Sequence, residues 1–547
     1  MRVLECVPNF SEGRDGEVIR LIAAEVEKGE GVKLLDVDPG KATNRTVVTF
    51  AGEPEAVVEA AMRLARKATE LIDMRHHKGE HPRFGALDVC PLVPVSGITM
   101  EEAAALARKL ARRLGEEVGL TVYCYEHAAT REERRNLAVV RAGEYEGLER
   151  RLGDPRWKPD FGPSTFQERS GATAVGARDF LVAYNVNLNT TSTRRANAVA
   201  FDVRERGRPV ADAKGETVWV PGALKCVKGI GWFIDEYGIA QVSLNLTNLA
   251  VTPLHAAFDE VCKSASARGM RVTGSEIVGL VPLQSMLDAG RHFLRRQQRS
   301  TGVSDRELIR IAIRTMGLHD VAPFDPAKKI VEYALAGARK RLVDLSLERF
   351  TEETASESVA PGGGSVAAAL GAFGAALGTM VANLSSHKRG WDERWEEFSA
   401  WAEKGKAAYA ELLALVDRDT DAFHAIVAAR RMARDTDAEK AARLAAIEAA
   451  TRQAIEVPLR VMEVALSSME VLRAMVEKGN PNSVSDAAVG ALCARSAAMG
   501  AFLNVRINAP GLGDRRAAAA YVARGERMQH DAVAREREIL ALADGKL

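Results

Sequence analysis

The chain has 547 residues, with 75 Lys and Arg against 74 Asp and Glu and a formal net charge of +1. That length exceeds what one hydrophobic core supports, so several domains are expected, and the even charge balance excludes the electrostatic footprint of a nucleic-acid or polyanion coat. Six scattered cysteines with no CxxC, and a start (MRVLECVPNF) without a charged segment leading into an apolar core, point to a reducing, cytoplasmic setting.

Arg2 to Val7, Lys33 to Val37, Thr46 to Phe50 and Leu87 to Val93 are apolar, β-branched runs that read as strands, with amphipathic helices over about 14–28 and 54–72 between them. The second and third are joined by a short stretch holding Pro39-Gly40, which predicts a hairpin and therefore a mixed sheet. A second pass of similar order starts near Phe180: a strand to Leu188, a loop with strand character over Ala211 to Val227, a strand over Ala240 to Leu246, a helix over Pro253 to Arg268, and a closing strand over Val272 to Val281. Both passes end on Leu-Val-Pro, at 92–94 and 280–282, an ending that fits duplication but is too short to establish it.

After Pro323 and Pro326 the strands stop, and Ala, Glu, Arg and Leu take over in long helical periods. Seven or eight helices are expected from Phe350 onward, enough for a bundle. The predicted fold is multidomain: an N-terminal α/β (α+β) half of two mixed-sheet subdomains, 1–179 and 180–326, a linker at 327–345, and an all-α helical bundle at 346–547. Val366 to Leu384 is uncharged and as long as a membrane span, but Ala and Gly carry little transfer free energy; it reads as a buried helix, with no membrane as partner.

Residues 75–85 (RHHKGEHPRFG) hold the densest group of ionisable side chains. His77-Lys-Gly-Glu80-His81 spells a zinc pattern, HxxEH, that works only on a helix; Gly79 inside it and Pro82 after it break that helix, so no metal is predicted. The segment reads either as an ordered loop with one histidine for proton transfer or as a solvated surface loop. Spacing does not say which of His76, His77 and His81 faces a pocket.

In the helical half, Leu412, Val416, Phe423 and Ile426 recur at helical spacing, and Asp419 completes their stripe. A carboxyl on an apolar stripe is desolvated unless paired, which raises its pKa and suits it to donate a proton; a satisfied structural Asp is the alternative. Gly362-Gly363-Gly364 before a small-residue helix lacks the Lys-Ser/Thr ending of a phosphate loop, but its N–H groups suit an anion such as a carboxylate. Gly371, Gly374 and Gly378 are expected to permit close helix packing. The clusters Arg291, Arg295, Arg296 and Arg430, Arg431 read as solvated helix faces.

Several of these segments together resemble a known family. Glu5-Cys-Val-Pro-Asn-Phe-Ser-Glu-Gly13, Leu35-Asp-Val-Asp38, Thr43-Asn-Arg-Thr46, Gly79-Glu-His-Pro-Arg83 with Gly85-Ala-Leu-Asp88, Asp160-Phe-Gly-Pro163 and Gly229-Ile-Gly-Trp232 look like the glutamate formiminotransferases, in order over about 320 residues. Ala360-Pro-Gly-Gly-Gly-Ser-Val-Ala367, Leu415-Val-Asp-Arg-Asp419 and Ser485-Asp486 resemble the formiminotetrahydrofolate cyclodeaminases. The whole order is similar to the bifunctional formimidoyltransferase-cyclodeaminase family.

That resemblance implies transfer of a formimino group from N-formimino-L-glutamate to N5 of tetrahydrofolate, then cyclisation to 5,10-methenyltetrahydrofolate with loss of ammonia, in histidine breakdown. It places the transfer base on His81 and the cyclodeaminase acid on Asp419. Substrate orientation falls on Asp38 and Arg45, each of which also reads as a salt-bridge partner. The folate segment falls on Gly162 to Gly171, including Pro163, Ser164, Thr165 and Phe166; Gly362, Gly363, Gly364, Ser365 and Asp486 are folate contacts in the bundle. Tetrahydrofolate, with or without a polyglutamate tail, is a co-substrate, and a homo-oligomer is implied. Gly479 to Asp486 departs from the animal members and keeps only the Ser-Asp pair, which leaves a methenyltetrahydrofolate cyclohydrolase as the alternative second activity. A non-catalytic folate carrier is the alternative from another class.

Overall fold

Strands that alternate with helices, two of them joined as a hairpin, predict a mixed sheet in the first 180 residues, and the fold has one. The computed structural model describes residues 2–40, 44–79, 83–211, 216–336 and 341–547. The first sheet contains β1 (Val3–Cys6), β2 (Asn9–Phe10), β3 (Val32–Gly40), β4 (Arg45–Gly52), β5 (Leu87–Ser96), β6 (Thr121–Glu126) and β7 (Ala172–Ala177). β1 and β2 lie in line between β4 and β5, interrupted at Val7-Pro8, where proline has no N–H for the ladder. β3, β4, β1 and β5 are antiparallel neighbours, β3 to β4 forming the expected hairpin register; β5, β7 and β6 are parallel, so the sheet is mixed.

Leu4, Cys6, Phe50, Cys90 and Leu92 face helices Pro54–Leu71 and Met100–Arg113 and form a buried core with them. The intervening residues Val7, Val47, Val89, Pro91 and Tyr125 turn to the other face, where they line a cavity. A second, antiparallel sheet follows, ordered β11 (Val227–Ile234), β12 (Ile239–Leu246), β8 (Val182–Leu188), β13 (Val272–Val278), after a separate hairpin of β9 (Arg208–Ala211) and β10 (Thr217–Val220). Helices Thr193–Val203 and Leu254–Ala267 carry the buried residues that belong with it. β2, β6, β7, β9 and most of β11 lie outside the segments that alternation marks.

The chain divides into two compact units, Met1–Asp288 with Ile313–Gly337, and Ala289–Ala312 with Ala338–Leu547. Two features differ from the sequence-based division. Ala289–Ala312 packs with the helical unit. The stretch expected to be a linker contains helices at Pro326–Lys329 and Val331–Ala336, with Ile330 and Val331 buried in the first unit.

From Leu347 onward there are six α-helices rather than seven or eight, because two of them, Trp395–Arg431 and Asp437–Lys478, run for 37 and 42 residues. Gly363–Ser386 is long and apolar enough to cross a membrane, as is the span Pro481–Gly511; the Ala and Gly side of the former is buried against its neighbours. Its glycines permit that approach. A Cβ on Gly374 would stand 2.7 Å from the carbonyl oxygen of Gly490, and one on Gly378 would stand 3.0 Å from Leu472 Cδ2.

Candidate functional sites

The first unit holds a cavity of about 700 Å³ between the outward face of the first sheet and the near ends of β8, β11 and β12. Its charged lining includes Arg45, Arg141, Arg178 and Lys228 against Glu126 and Asp179. Arg45 opens β4, and its Nε lies 3.7 Å from Asp88 Oδ2; Arg141 Nη1 donates to the same oxygen at 2.5 Å. Asp88 is fully buried, and its other oxygen accepts the N–H of Phe84 at 3.0 Å. Burial pulls the Arg45 pKa down, Asp88 opposes that, and Arg141 adds to it. Asp38 does not join Arg45 in this lining: it is exposed on β3, in register with Val47.

His81 lies outside the described residues, with Glu80 and Pro82. Its neighbours narrow the choice of base. His77 is buried, with Nε2 2.7 Å from the Asn44 carbonyl oxygen, and its Nδ1 accepts from Arg83 Nε at 3.2 Å. An acceptor on one nitrogen and a guanidinium donor on the other select the neutral Nε2–H tautomer. Both ring nitrogens are thereby committed, which leaves no lone pair at that position for the metal of the HxxEH spelling. Burial holds the His77 pKa below 6.5, consistent with a neutral strut. His76 is exposed.

Asn44 ties three of the sequence motifs together. Its Oδ1 accepts from Gly13 N at 3.0 Å, its Nδ2 donates to the Lys78 carbonyl at 3.0 Å, and its carbonyl takes His77. It does so with φ of 48°, a left-handed conformation that Asn tolerates better than most residues. Arg83 is nearly buried and forks onto Glu146, at 2.5 and 2.9 Å.

The Asp160-to-Gly171 segment is fixed largely by structural contacts. Asp160 accepts from Cys124 N at 2.8 Å and from Thr130, and pairs at 2.8 Å with Arg134, a fully buried guanidinium that also lies 5.2 Å from the Tyr123 ring centroid. Gly162 has φ of 79°, and a Cβ there would run into the Leu120 carbonyl. Pro163 accepts from Thr121 Oγ1 at 2.9 Å, and Phe166 packs against Tyr145 with ring centroids 5.4 Å apart. Gly171 bridges to Gly85. Ser164 and Thr165 are exposed, and none of residues 162–171 lines the 700 Å³ cavity. The segment instead joins the histidine region, through Met74 N to the Arg169 carbonyl at 2.9 Å and Ala86 N to the Ser170 carbonyl at 2.8 Å.

In the helical unit, a second cavity of about 260 Å³ is lined by Gly362, Gly363, Gly364, Asp419, Phe423 and Asn504, among others. The Asp419 carboxyl lies directly against Gly364: a Cβ on that glycine would stand 2.5 Å from its Cγ. Ser365 Oγ donates to Asp419 Oδ2 at 3.0 Å, and the Ser365 N–H bonds to the same carboxyl. Burial raises the Asp419 pKa, and the two Ser365 bonds draw it down by less, so the net shift is upward. The N–H of Ser365, directly after the three glycines, is thus occupied by protein.

The apolar stripe needs one correction. Leu412 and Val416 are core residues, but Phe423 is 41% exposed and belongs to the cavity wall, so the stripe leaves the core at Asp419. Asp417 points away and accepts Leu342 N at 2.7 Å. Asp486 is not brought to Asp419: it lies in the first turn of Val484–Asn508, whose last turns supply Asn504 and Asn508 to the cavity. Eighteen residues separate Asp486 from Asn504, about 27 Å along a helix. Asp88, Arg141, Arg178 and Lys228 were missed from sequence. Only Asp88 carries a signal, as the one acid inside the apolar strand run Leu87 to Val93.

Family models match the chain in three stretches: formiminotransferase domain, N-terminal subdomain, over residues 3–178; formiminotransferase domain over 183–336; and formiminotransferase-cyclodeaminase over 346–527. The formimidoyltransferase-cyclodeaminase of Rattus norvegicus is 43% identical over 509 residues, covering 93% of this chain and 92% of that protein. The glutamate formimidoyltransferase of Thermoplasma acidophilum is 42% identical over 296 residues, 54% of this chain and 93% of that protein. The methenyltetrahydrofolate cyclohydrolase of Methylorubrum extorquens is 39% identical over 170 residues, 31% of this chain and 82% of that protein.

Proposed function

The chain belongs to the formimidoyltransferase-cyclodeaminase family, and on that premise we propose that it is a bifunctional folate enzyme of histidine breakdown. The first unit transfers the formimino group of N-formimino-L-glutamate to N5 of tetrahydrofolate. The helical unit closes the product to 5,10-methenyltetrahydrofolate and releases ammonia. In the transfer, N5 loses a proton as it attacks the formimino carbon and the departing glutamate nitrogen gains one; a single imidazole, assigned to His81, serves both steps. His77 is spoken for by Asn44 and Arg83, which supports that assignment. Arg45, a cavity residue, is assigned to a substrate carboxylate, Asp38 to substrate orientation, and the 162–171 segment to folate.

The observation that carries the reading of the second unit is the Asp419 carboxyl, which is raised in pKa by burial and set on a cavity wall against Gly364 and Ser365. Its raised pKa favours the protonated form, which donates to the nitrogen that leaves as ammonia. Tetrahydrofolate, polyglutamylated or not, is a co-substrate. A homo-oligomer is supported by exposed apolar side chains on the adjacent helices Gly363–Ser386 and Val484–Asn508, among them Phe373, Leu384, Leu503 and Ile507. A cytoplasmic location rests on the scattered free cysteines.

The likeness to a methenyltetrahydrofolate cyclohydrolase over 170 residues favours one second reading, hydrolysis of the methenyl bridge in the helical unit. One assay separates the two. Protein given formiminoglutamate and tetrahydrofolate develops methenyl-folate absorbance with stoichiometric ammonia if the first reading holds; no ammonia from that mixture, with consumption of separately supplied 5,10-methenyltetrahydrofolate, supports the second. His81→Ala abolishes transfer while sparing deamination of supplied 5-formiminotetrahydrofolate, and Asp419→Asn does the reverse. Loss of both activities from either change in folded protein overturns the assignment of separate sites.

A further inference from the structure

A proline in the middle of a helix sets which end of an asparagine faces the 260 Å³ cavity. Pro458 lies inside Asp437–Lys478 and has no N–H to give the carbonyl one turn before it, that of Ala454. Asn508, on the neighbouring helix Val484–Asn508, meets that need: its Nδ2 donates to the Ala454 carbonyl oxygen at 3.0 Å. Turning the amide over would set two carbonyl oxygens against each other, so the donor end stays on Ala454 and the Oδ1 end is left as an acceptor. Asn504, one turn earlier on the same helix face, is held in the same sense, with Nδ2 on the Gly500 carbonyl at 3.0 Å. Both residues line the cavity, and no described residue donates to either Oδ1.

The rest of the lining narrows what such a pair can bind. Among the described residues that line this cavity, Asp419 is the only ionisable one; no Lys, Arg or His joins it. A site without a cation disfavours the carboxylates of a folate tail, whereas two amide oxygens call for N–H donors. Its volume, about 260 Å³, is below the roughly 300–1,000 Å³ of pockets that enclose a whole drug-sized ligand. One end of a folate enters, and the remainder stays outside. Phe423 and Ile426, on the helix that carries Asp419, supply apolar surface for a flat ring. The pterin ring combines these properties: a flat body, no charge, and an edge of N–H donors made by the 2-amino group and the ring N–H beside it.

We propose that Asn504 and Asn508 are specificity-determining residues of the helical unit, whose side-chain oxygens accept the 2-amino group and adjacent ring N–H of the pterin. The folate then enters ring first, with its one-carbon unit on the Asp419 side and its tail outside. The proposal deepens the folate reading of this unit and rests on it for the identity of the ligand.

The test uses the full chain and measures inhibition of ammonia release from supplied 5-formiminotetrahydrofolate, a readout of the helical unit alone. Two inhibitors are compared: 5-formyltetrahydrofolate, and its analogue with a methyl group in place of the 2-amino group, which keeps the shape and removes the donors. Wild type binds the methyl analogue about 10- to 100-fold more weakly. Two variants each remove one acceptor without orphaning a backbone group. In Asn504→Ala the Gly500 carbonyl keeps its helical N–H, and in Asn508→Ala/Pro458→Ala the alanine at 458 supplies the N–H that Ala454 otherwise lacks. Each variant weakens 5-formyltetrahydrofolate by about 10-fold and the methyl analogue by less than about threefold, so the gap between the inhibitors narrows. Equal inhibition of wild type by the two compounds overturns the proposal. So does an equal loss for both compounds in the variants, the mark of a merely structural role. A wild type that releases no ammonia but consumes supplied 5,10-methenyltetrahydrofolate refutes the cyclodeaminase reading alone; the pterin edge is the same in that substrate, and the two inhibitors then decide the proposal on its hydrolysis.

Discussion

Two adjacent glycines in the helical unit should give opposite kinetic signatures when each gains one methyl group. A Cβ on Gly364 would stand 2.5 Å from Asp419 Cγ and 2.7 Å from Oδ2, about 1 Å inside the separation at which packed atoms rest. Either the carboxyl or the helix start must retreat by that amount. Displacing a reacting group by about 1 Å costs about 10²-fold in rate, and forcing a methyl into a filled site costs about 1–3 kcal/mol of stability. Retreat also breaks the Ser365 bonds that hold the carboxyl pKa down, so it should climb further and carry the alkaline limb of the pH profile upward.

Gly363 differs: the nearest atom to its Cβ is Asn504 Nδ2 at 3.8 Å, across the cavity mouth. Its methyl enters ligand space and leaves Asp419 where it is, and alanine at this first helical position stabilises by about 0.4–1 kcal/mol. Gly364→Ala should therefore lower kcat for ammonia release from supplied 5-formiminotetrahydrofolate by about 10²-fold. Gly363→Ala should chiefly raise KM. Full kcat in Gly364→Ala, or identical kinetics in the two variants, would refute the placement of Asp419 as the acting carboxyl.

Two further outcomes concern stability. Glu5 is 4% exposed on β1, and burial pushes its carboxyl up from 4.5 to about 7, Arg178 opposing and Glu332 adding. Between those values the folded chain keeps a proton that the unfolded chain has lost, so stability falls as pH rises through that window, by about 3 kcal/mol in all. Glu5→Gln should flatten that slope and melt higher than wild type at pH 8, and thermal melts that overlay at every pH would rule the effect out. Asp160→Asn removes the counter-charge of a guanidinium with no solvent exposure, that of Arg134. It should cost about 3–5 kcal/mol in urea unfolding, and a change below about 1 kcal/mol would show that the other Arg134 contacts suffice.

What the sequence determined by itself follows from local periodicity and from the chemistry of residue types. Alternation located β1, β3, β4 and β5, and the Pro-Gly stretch located their hairpin, because a strand shows its buried face to anyone reading every second residue. Helical spacing singled out Asp419, and Gly79 and Pro82 ruled against a helical zinc pattern. Only tertiary structure decided the rest. Arg141 and Lys228 bear no mark in the chain that sets them apart from 73 other basic residues; they share a cavity with Arg45 because tertiary packing brings residues 96 and 183 positions further along the chain to one wall with it. His77 was separated from its neighbours by an Asn44 carbonyl and an Arg83 side chain, partners that no spacing reveals. Asp486 matched a motif as well as Asp419 did, and the length of one helix holds it away from the cavity. Spacing along a chain fixes which face a residue occupies, whereas the groups it meets there are set by the long-range packing of elements that are remote in sequence.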